Sequence, residues 1–184
     1  MDYRNEKNIL AVLLTAGSLV SLNALASDGT VQFQGSITDG SCTVDVQNSG
    51  ASAGTVVLGN VPKSQFTGVG STAGGADGLA SIDISLSGCP TTKTAAYVAF
   101  DGEYYNGNND YLKLADYGDT GVATGVAIKL LDGNGTHMKL GVKSAPITLT
   151  NGSANVDFKA NYVQVEKDVK EGTANATATL LVTY

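Results

Sequence analysis

Residues 30–38 read TVQFQGSIT and decide the fold class, because apolar and polar side chains alternate along them. The odd positions carry the apolar or small residues Val31, Phe33, Gly35 and Ile37. A period of two places these residues on one face of a β-strand and the hydroxyl and amide side chains on the other. The sequence therefore predicts a strand with one buried face near the start of the chain.

The end of the chain shows the same alternation, in residues 173–184, which read TANATATLLVTY. The even positions are small, apolar or aromatic: Ala174, Ala176, Ala178, Leu180, Val182 and Tyr184. The odd positions are polar except for Leu181. This stretch predicts a second amphipathic strand.

The phase of the first strand breaks at Asp39-Gly40, since Cys42, Val44 and Val46 lie on even positions. A one-residue change of phase moves every apolar side chain to the other face of a strand. Asp-Gly between alternating runs is a strong hairpin signal, and periodicity alone favours that interpretation. The alternative is that Asp39-Gly40 separates an N-terminal arm from the body of the domain.

The composition favours one all-β domain. A chain of 184 residues fits one domain, and it has 23 glycines and only 15% charged residues. Short runs of strand-forming residues recur between turn signals, as in a β-sandwich or barrel. The predicted strands are Thr55–Leu58, Leu79–Ser87, Thr94–Phe100, Tyr111–Leu114, Gly125–Leu131, Pro146–Thr150, Val156–Val165 and Thr173–Tyr184.

The first 26 residues have the pattern of a cleaved signal peptide. Arg4 and Lys7 precede an apolar run that ends at Leu22, and residues 24–26 read ALA, the form that signal peptidase cuts. The run is short and interrupted for a membrane anchor. We expect the exported chain to begin at Ser27.

Export gives the two cysteines, Cys42 and Cys89, a predicted role. An even number of cysteines in an exported chain suggests a disulfide. The sequence has no CxxC motif and no histidine near either cysteine, which argues against a metal site. In the chain-entropy model, closing a loop of this length stabilises a fold by about 4 kcal/mol.

The charge distribution argues against nucleic-acid binding. The net charge is −6, and the only arginine, Arg4, lies in the leader. A nucleic-acid partner requires a cationic face, which this sequence does not provide.

The candidate chemical sites are weak, and we expect no catalytic residue, no metal and no cofactor. The only histidine, His137, follows a predicted turn at residues 132–136, DGNGT. This turn resembles the opening of a calcium loop, but position six is His137 instead of Gly and position twelve is Lys143 instead of Glu. The loop Glu103–Tyr111 mixes aromatic, amide and acidic side chains that suit sugar binding, although turn composition also explains it.

Several segments, in order, resemble those of type 1 fimbrial subunits of the chaperone/usher pathway. Residues 30–35 followed by Cys42-Thr43-Val44 resemble the N-terminal signature of that family. The other matching segments are Gly88-Cys89-Pro90, residues 125–131 (GVAIKLL), residues 156–162 (VDFKANY) and residues 172–179 (GTANATAT).

This resemblance implies a structural pilin, not an enzyme. Its fold would be an incomplete immunoglobulin-like β-sandwich that lacks its last strand, with a signal peptide at 1–26, a donor-strand arm at 27–39 and a pilin domain at 40–184. The arm of a neighbouring subunit would complete the sandwich, an example of β-augmentation. Its partners would be neighbouring pilin subunits, a periplasmic chaperone and an outer-membrane usher, and its destination a fimbria on the bacterial surface, contributing to cell adhesion.

The resemblance also assigns residues to this exchange. The arm would use Val31, Phe33, Gly35 and Ile37, and the acceptor groove would be lined by the even-numbered residues of the last strand: Ala174, Ala176, Ala178, Leu180, Val182 and Tyr184. The alternative is an autonomous secreted β-sandwich binding module or adhesin that recognises host glycans through its surface loops.

Overall fold

The computed structural model describes residues 40–184, which form two antiparallel β-sheets. The predicted leader, 1–26, and donor arm, 27–39, lie outside the described residues. The strands in chain order are β1 (Thr43–Val46), β2 (Thr72–Ala73), β3 (Ala80–Ser87), β4 (Ala95–Gly102), β5 (Val126–Leu131), β6 (His137–Met138), β7 (Ile147–Thr148), β8 (Ala154–Gln164) and β9 (Ala178–Thr183). Short 3₁₀ turns occur at Lys63–Gln65 and Tyr105–Gly107.

The two sheets differ in size. The larger has the order β1-β3-β8-β5-β6, with β2 also paired to β8. The smaller has the order β7-β4-β9, so that β9 is its edge strand. The longest strand, β8, is central to the larger sheet because β3 and β5 both pair with it.

The core lies between the sheets. On β8, Phe158, Ala160 and Tyr162 point inward at alternate positions, as the period of two requires. The ring of Phe158 meets that of Phe100 on β4 edge-to-face, with 5.3 Å between centroids. This contact joins the two sheets, and the molecule is therefore a sandwich.

Cys42 and Cys89 form the expected disulfide. Cys42 precedes β1 and Cys89 follows β3, and these strands pair from Thr43 with Ser87 onward. The bridge therefore closes one end of a strand pair that is already in register.

The strongest alternating runs were predicted well. Strands β3, β4, β5 and β8 lie within two residues of their predicted bounds, and β7 is shorter than predicted. Three predicted strand segments were wrong: residues 55–58, 111–114 and 173–177 are not β-strands. None of the described residues forms a helix long and apolar enough to cross a membrane.

The wrong predictions share one physical reason. Alternation shows which side chains of a segment share a face, but a β-strand also requires a neighbouring strand to which its backbone can hydrogen-bond. In residues 55–58, the Leu58 carbonyl accepts from the Gly75 N–H at 2.7 Å, but no strand of the described chain pairs with the segment. Leu112 forms only isolated bridges, to Tyr104 and to Ile128. Residues 173–177 bond to a loop instead of to β4.

Candidate functional site

The edge strand β9 is the first element of the candidate site. One side of β9 pairs with β4, in a register that places Val98 opposite Val182 and Phe100 opposite Leu180. Within residues 40–184, no strand pairs with its other side. An unpaired edge presents backbone N–H and C=O groups to any extended chain that can reach them.

The predicted acceptor residues differ in burial. Five of them are partly buried and pack against the core: Ala174, Ala176, Leu180, Val182 and Tyr184. Ala178 is exposed. Leu181, the exception to the alternation, lies on the other face of β9 with 46% of its surface exposed.

A second segment, residues 55–61, also covers the core only in part. Val56, Leu58 and Val61 are partly buried against the same core cluster, whereas Val57, between the first two, is 74% exposed. Two segments of this core boundary, residues 55–61 and 174–184, therefore present apolar side chains that the described residues cover incompletely. Burying them further would be favourable.

Residues 173–177 are fixed by the loop at 115–123. The N–H of Thr173 donates to the Gly121 carbonyl at 2.8 Å, and the Thr173 carbonyl accepts from Ala123 at 2.9 Å. The Asn175 carbonyl accepts from the Ala115 N–H at 2.8 Å. The odd-numbered residues thus bond to the loop, which leaves the even-numbered backbone groups directed to the other side.

A carboxylate fixes the chain just before this segment. Glu166 accepts hydrogen bonds from the phenols of Tyr105, at 2.5 Å, and Tyr117, at 2.9 Å. These two bonds hold the pKa of Glu166 below its usual value, while burial and the bond to Glu166 raise the pKa of Tyr105. The sequence analysis missed this cluster, since its members are 61 and 49 residues apart and no motif joins them.

The chemical candidates occupy structural positions. The Nε2 atom of His137 lies 2.7 Å from the Asp110 carbonyl, and its ring stacks on Tyr111. The Asp132 carboxylate accepts from the N–H groups of Asn134 and Thr136, so residues 132–136 form the predicted turn. In the part of the chain that the structure describes, no three His, Cys, Asp or Glu side chains are placed to hold a metal ion.

Comparison with known proteins identifies the family. The family model described as "Fimbrial protein" matches residues 31–184. The chain belongs to the fimbrial protein family. The type-1 fimbrial protein subunit of Serratia marcescens is 33% identical over 189 residues, which cover 97% of this chain and 99% of that protein.

Solved structures agree with the fold. The Burkholderia pseudomallei antigen and type I fimbria protein is 35% identical to this fimbrial protein, with a TM-score of 0.58 over 85% of this chain and 97% of that chain. The P pilus rod subunit PapA is similar in fold, with a TM-score of 0.54, 23% identity and coverage of 84% of this chain and 99% of that chain.

The chain is a structural, non-enzymatic subunit of a cell-surface fimbria, and the predictions of family, class and function are confirmed at this level. Its fold is an immunoglobulin-like sandwich lacking a strand. The predicted donor residues Val31, Phe33, Gly35 and Ile37 lie outside the described residues, so their pairing with β9 is a proposal.

Proposed function

We propose that this fimbrial subunit polymerises by donor-strand exchange, with residues 27–39 of one subunit pairing along the open edge of β9 in the next. The observation that carries the proposal is the combination of an unpaired strand edge with apolar side chains that the described residues leave partly exposed. An incoming strand that alternates apolar and polar residues satisfies both, because its backbone pairs with the edge and its apolar face covers the core.

The arm has side chains that suit this role. Val31, Phe33 and Ile37 are the apolar members of its alternating face, and full burial of three such side chains contributes on the order of 5–9 kcal/mol before ordering costs. Gly35 has no side chain and permits close approach of the two backbones. We call the space between residues 55–61 and 174–184 the acceptor groove.

The route to the fibre belongs to the same proposal. The pattern of residues 1–26 supports export into the periplasm, where a chaperone would cover the acceptor groove with a strand of its own until an outer-membrane usher catalyses the exchange. A subunit with an exposed apolar edge needs such protection, because unpaired edges promote aggregation.

The proposal is tested by moving the arm. A fusion protein is made in which residues 40–184 are followed by a short flexible linker and then by residues 27–39. Its midpoint of thermal unfolding is compared with that of residues 27–184. A fused arm can fold back antiparallel to β9 within the same molecule. We expect the midpoint to rise by about 10 °C or more, given about 2–4 °C per kcal/mol for a domain of this size.

The matched control carries Phe33→Asp in the fused arm and should lose most of the gain, because burying an unpaired carboxylate is unfavourable. Equal stability of the fusion and of residues 27–184 would contradict donor-strand exchange. It would favour an arm that pairs within its own domain and an autonomous binding module.

A further inference from the structure

We propose that Tyr162 closes one end of the acceptor groove. It would thereby determine how far an incoming strand pairs along residues 174–184, which we call the last segment. This inference rests on the proposed function. Tyr162 lies on the core face of β8, where it is 9% exposed. It contacts both sides of the groove.

The ring of Tyr162 lies against the first side. A Cβ atom built on Gly74 would lie 3.1 Å from Tyr162 Cδ2 and 3.3 Å from the Leu58 carbonyl oxygen. Gly75, the next residue, donates its N–H to that same Leu58 carbonyl at 2.7 Å. The Tyr162 ring, Gly74 and Leu58 are therefore packed together at one level of the groove.

The hydroxyl of Tyr162 reaches the second side. It donates to the Ala174 carbonyl oxygen at 2.8 Å. Since Thr173 and Asn175 direct their backbone bonds to the loop at 115–123, the intervening carbonyl of Ala174 points the other way, to the side where an incoming strand would bond. The Tyr162 hydroxyl therefore occupies a carbonyl oxygen to which the incoming strand would otherwise donate a hydrogen bond. The Tyr162 ring fills the space beside that carbonyl.

The position of this contact within the sandwich shows that it lies at an end. Leu180, midway along β9, is paired with Phe100, whose ring meets that of Phe158 edge-to-face. Tyr162 lies four residues further along β8, and Ala174 lies six residues back from Leu180. Tyr162 thus meets the last segment well away from the middle of β9.

A separate contact joins the two sides beyond Tyr162. Lys63, just after residues 55–61, forms an ion pair with Glu171, just before the last segment, with 3.1 Å between Nζ and Oε2. Both side chains are exposed, so the pair contributes little stability. Its importance is geometric, because it places the two chain segments within side-chain reach of each other where the groove would otherwise continue.

The test measures amide hydrogen exchange of residues 27–41 in fibres assembled from the exported chain, by mass spectrometry of peptic fragments. Within each of the two sheets, all strand pairings are antiparallel. An arm that runs antiparallel to the last segment places its C-terminal end at Ala174. Tyr162→Phe keeps the ring and frees the Ala174 carbonyl. We expect deuterium uptake at that end of the arm to fall by about one deuteron, since one carbonyl accepts one further N–H.

The matched control is Tyr117→Phe, which also removes a phenol that bonds to backbone and side chain, but away from the groove. It should leave uptake of the arm unchanged. The same uptake in wild type, Tyr162→Phe and Tyr117→Phe would overturn the role of Tyr162 while leaving the proposed function intact. An arm that exchanges freely in wild-type fibres would overturn both.

A second measurement needs no variant. Solid-state NMR of labelled wild-type fibres reports contacts between arm amide nitrogens and the carbonyl carbons of the last segment. We expect contacts to carbonyls of β9 and none to that of Ala174. An arm amide bonded to the Ala174 carbonyl in wild-type fibres would contradict the proposal.

Discussion

At the residue scale, single side chains hold segments that have no regular strand pairing. Glu166 joins two phenols to the chain that leads into the last segment, and the Tyr117 phenol also accepts from the Gly125 N–H at 2.9 Å. These bonds hold the chain at Glu166, and none of the residues that form them belongs to the acceptor groove. The cluster is therefore a positional feature, distinct from the residues that line the groove.

The lowered pKa of Glu166 predicts a pH dependence. A carboxyl whose pKa is lower in the folded chain stabilises the fold above its unfolded pKa, near 4.5, and loses that contribution as pH falls through the folded value. Glu166→Gln should therefore flatten the fall of the free energy of unfolding in acid, by about 1 kcal/mol at most for an exposed group. Urea titrations between pH 7 and pH 3 measure this.

The control for that titration is Asp168→Asn, which removes an exposed carboxylate of the same segment that forms no side-chain hydrogen bond among the described residues. It should change the acid slope less than Glu166→Gln does. Equal slopes for wild type and Glu166→Gln would show that the two phenols do not stabilise the charged form.

The disulfide has a predicted magnitude. Replacing Cys42 and Cys89 by alanine opens a loop between residues separated by 47 positions. The chain-entropy model gives a loss of about 4 kcal/mol in the free energy of unfolding. Denaturant titration of the oxidised wild type and of the double variant measures it, and we expect a lower yield of the folded double variant. An undiminished yield and midpoint would contradict a stabilising role.

At the element scale, the last twelve residues consist of two different parts. Residues 173–177 bond to a loop, whereas β9 pairs with β4. Both parts keep the same alternation of faces. The open edge is therefore longer than the regular strand, because the extended chain before β9 continues it.

Adjacent leucines on β9 provide a direct test of its two faces. Leu180 is partly buried on the groove side, and Leu181 is 46% exposed on the opposite face. In the arm-fused protein, Leu180→Ser should remove about 1–3 kcal/mol of stability because it deletes apolar contact with the core and the arm. Leu181→Ser should change it by about 0.5 kcal/mol or less. Thermal unfolding of both variants measures the difference, and equal losses would place the groove elsewhere.

The sequence predicted faces better than it predicted pairing. The even positions of residues 173–184 do point to the core, except for Ala178, and Val56 and Leu58 also point inward although their segment is no strand. A period of two reports which side chains are buried, but hydrogen-bond partners depend on segments distant in the chain. For this reason the sequence predicted Tyr162 only as a member of a strand, and its hydrogen bond to Ala174 became visible only in the folded structure.

At the scale of the whole molecule, the sandwich has unequal sheets, and the smaller one ends at β9. A domain with one unpaired edge and one alternating arm has both complementary parts needed for a linear polymer. Head-to-tail pairing gives an open filament when the rotation between successive subunits does not close a ring. In the proposed exchange, the length of such an open filament would therefore be limited by the supply of subunits.

Polymer growth should depend on one face of the arm. Phe33→Asp or Gly35→Asp should leave the folded subunit intact but prevent its addition to a fibre, because each places a charge where the proposed arm would meet an apolar groove. Gln34→Asp, on the opposite face, is the matched control and should be incorporated. Electron microscopy and the surface yield of fibres measure this. Normal fibres from Phe33→Asp and Gly35→Asp would exclude this arm as the donor.

The position of the disulfide has a mechanical consequence. In the proposed exchange, a polymer pulled along its axis would deliver tension to each domain through the arm that precedes Gly40, and Cys42 lies two positions further on. The short β1, four residues long, would by itself be peeled away one bond at a time. The covalent link to Cys89 instead passes the force to the end of β3, which pairs with the central β8 along seven residue pairs. The proposed linkage would therefore carry tension without the domains unravelling from the N-terminal end.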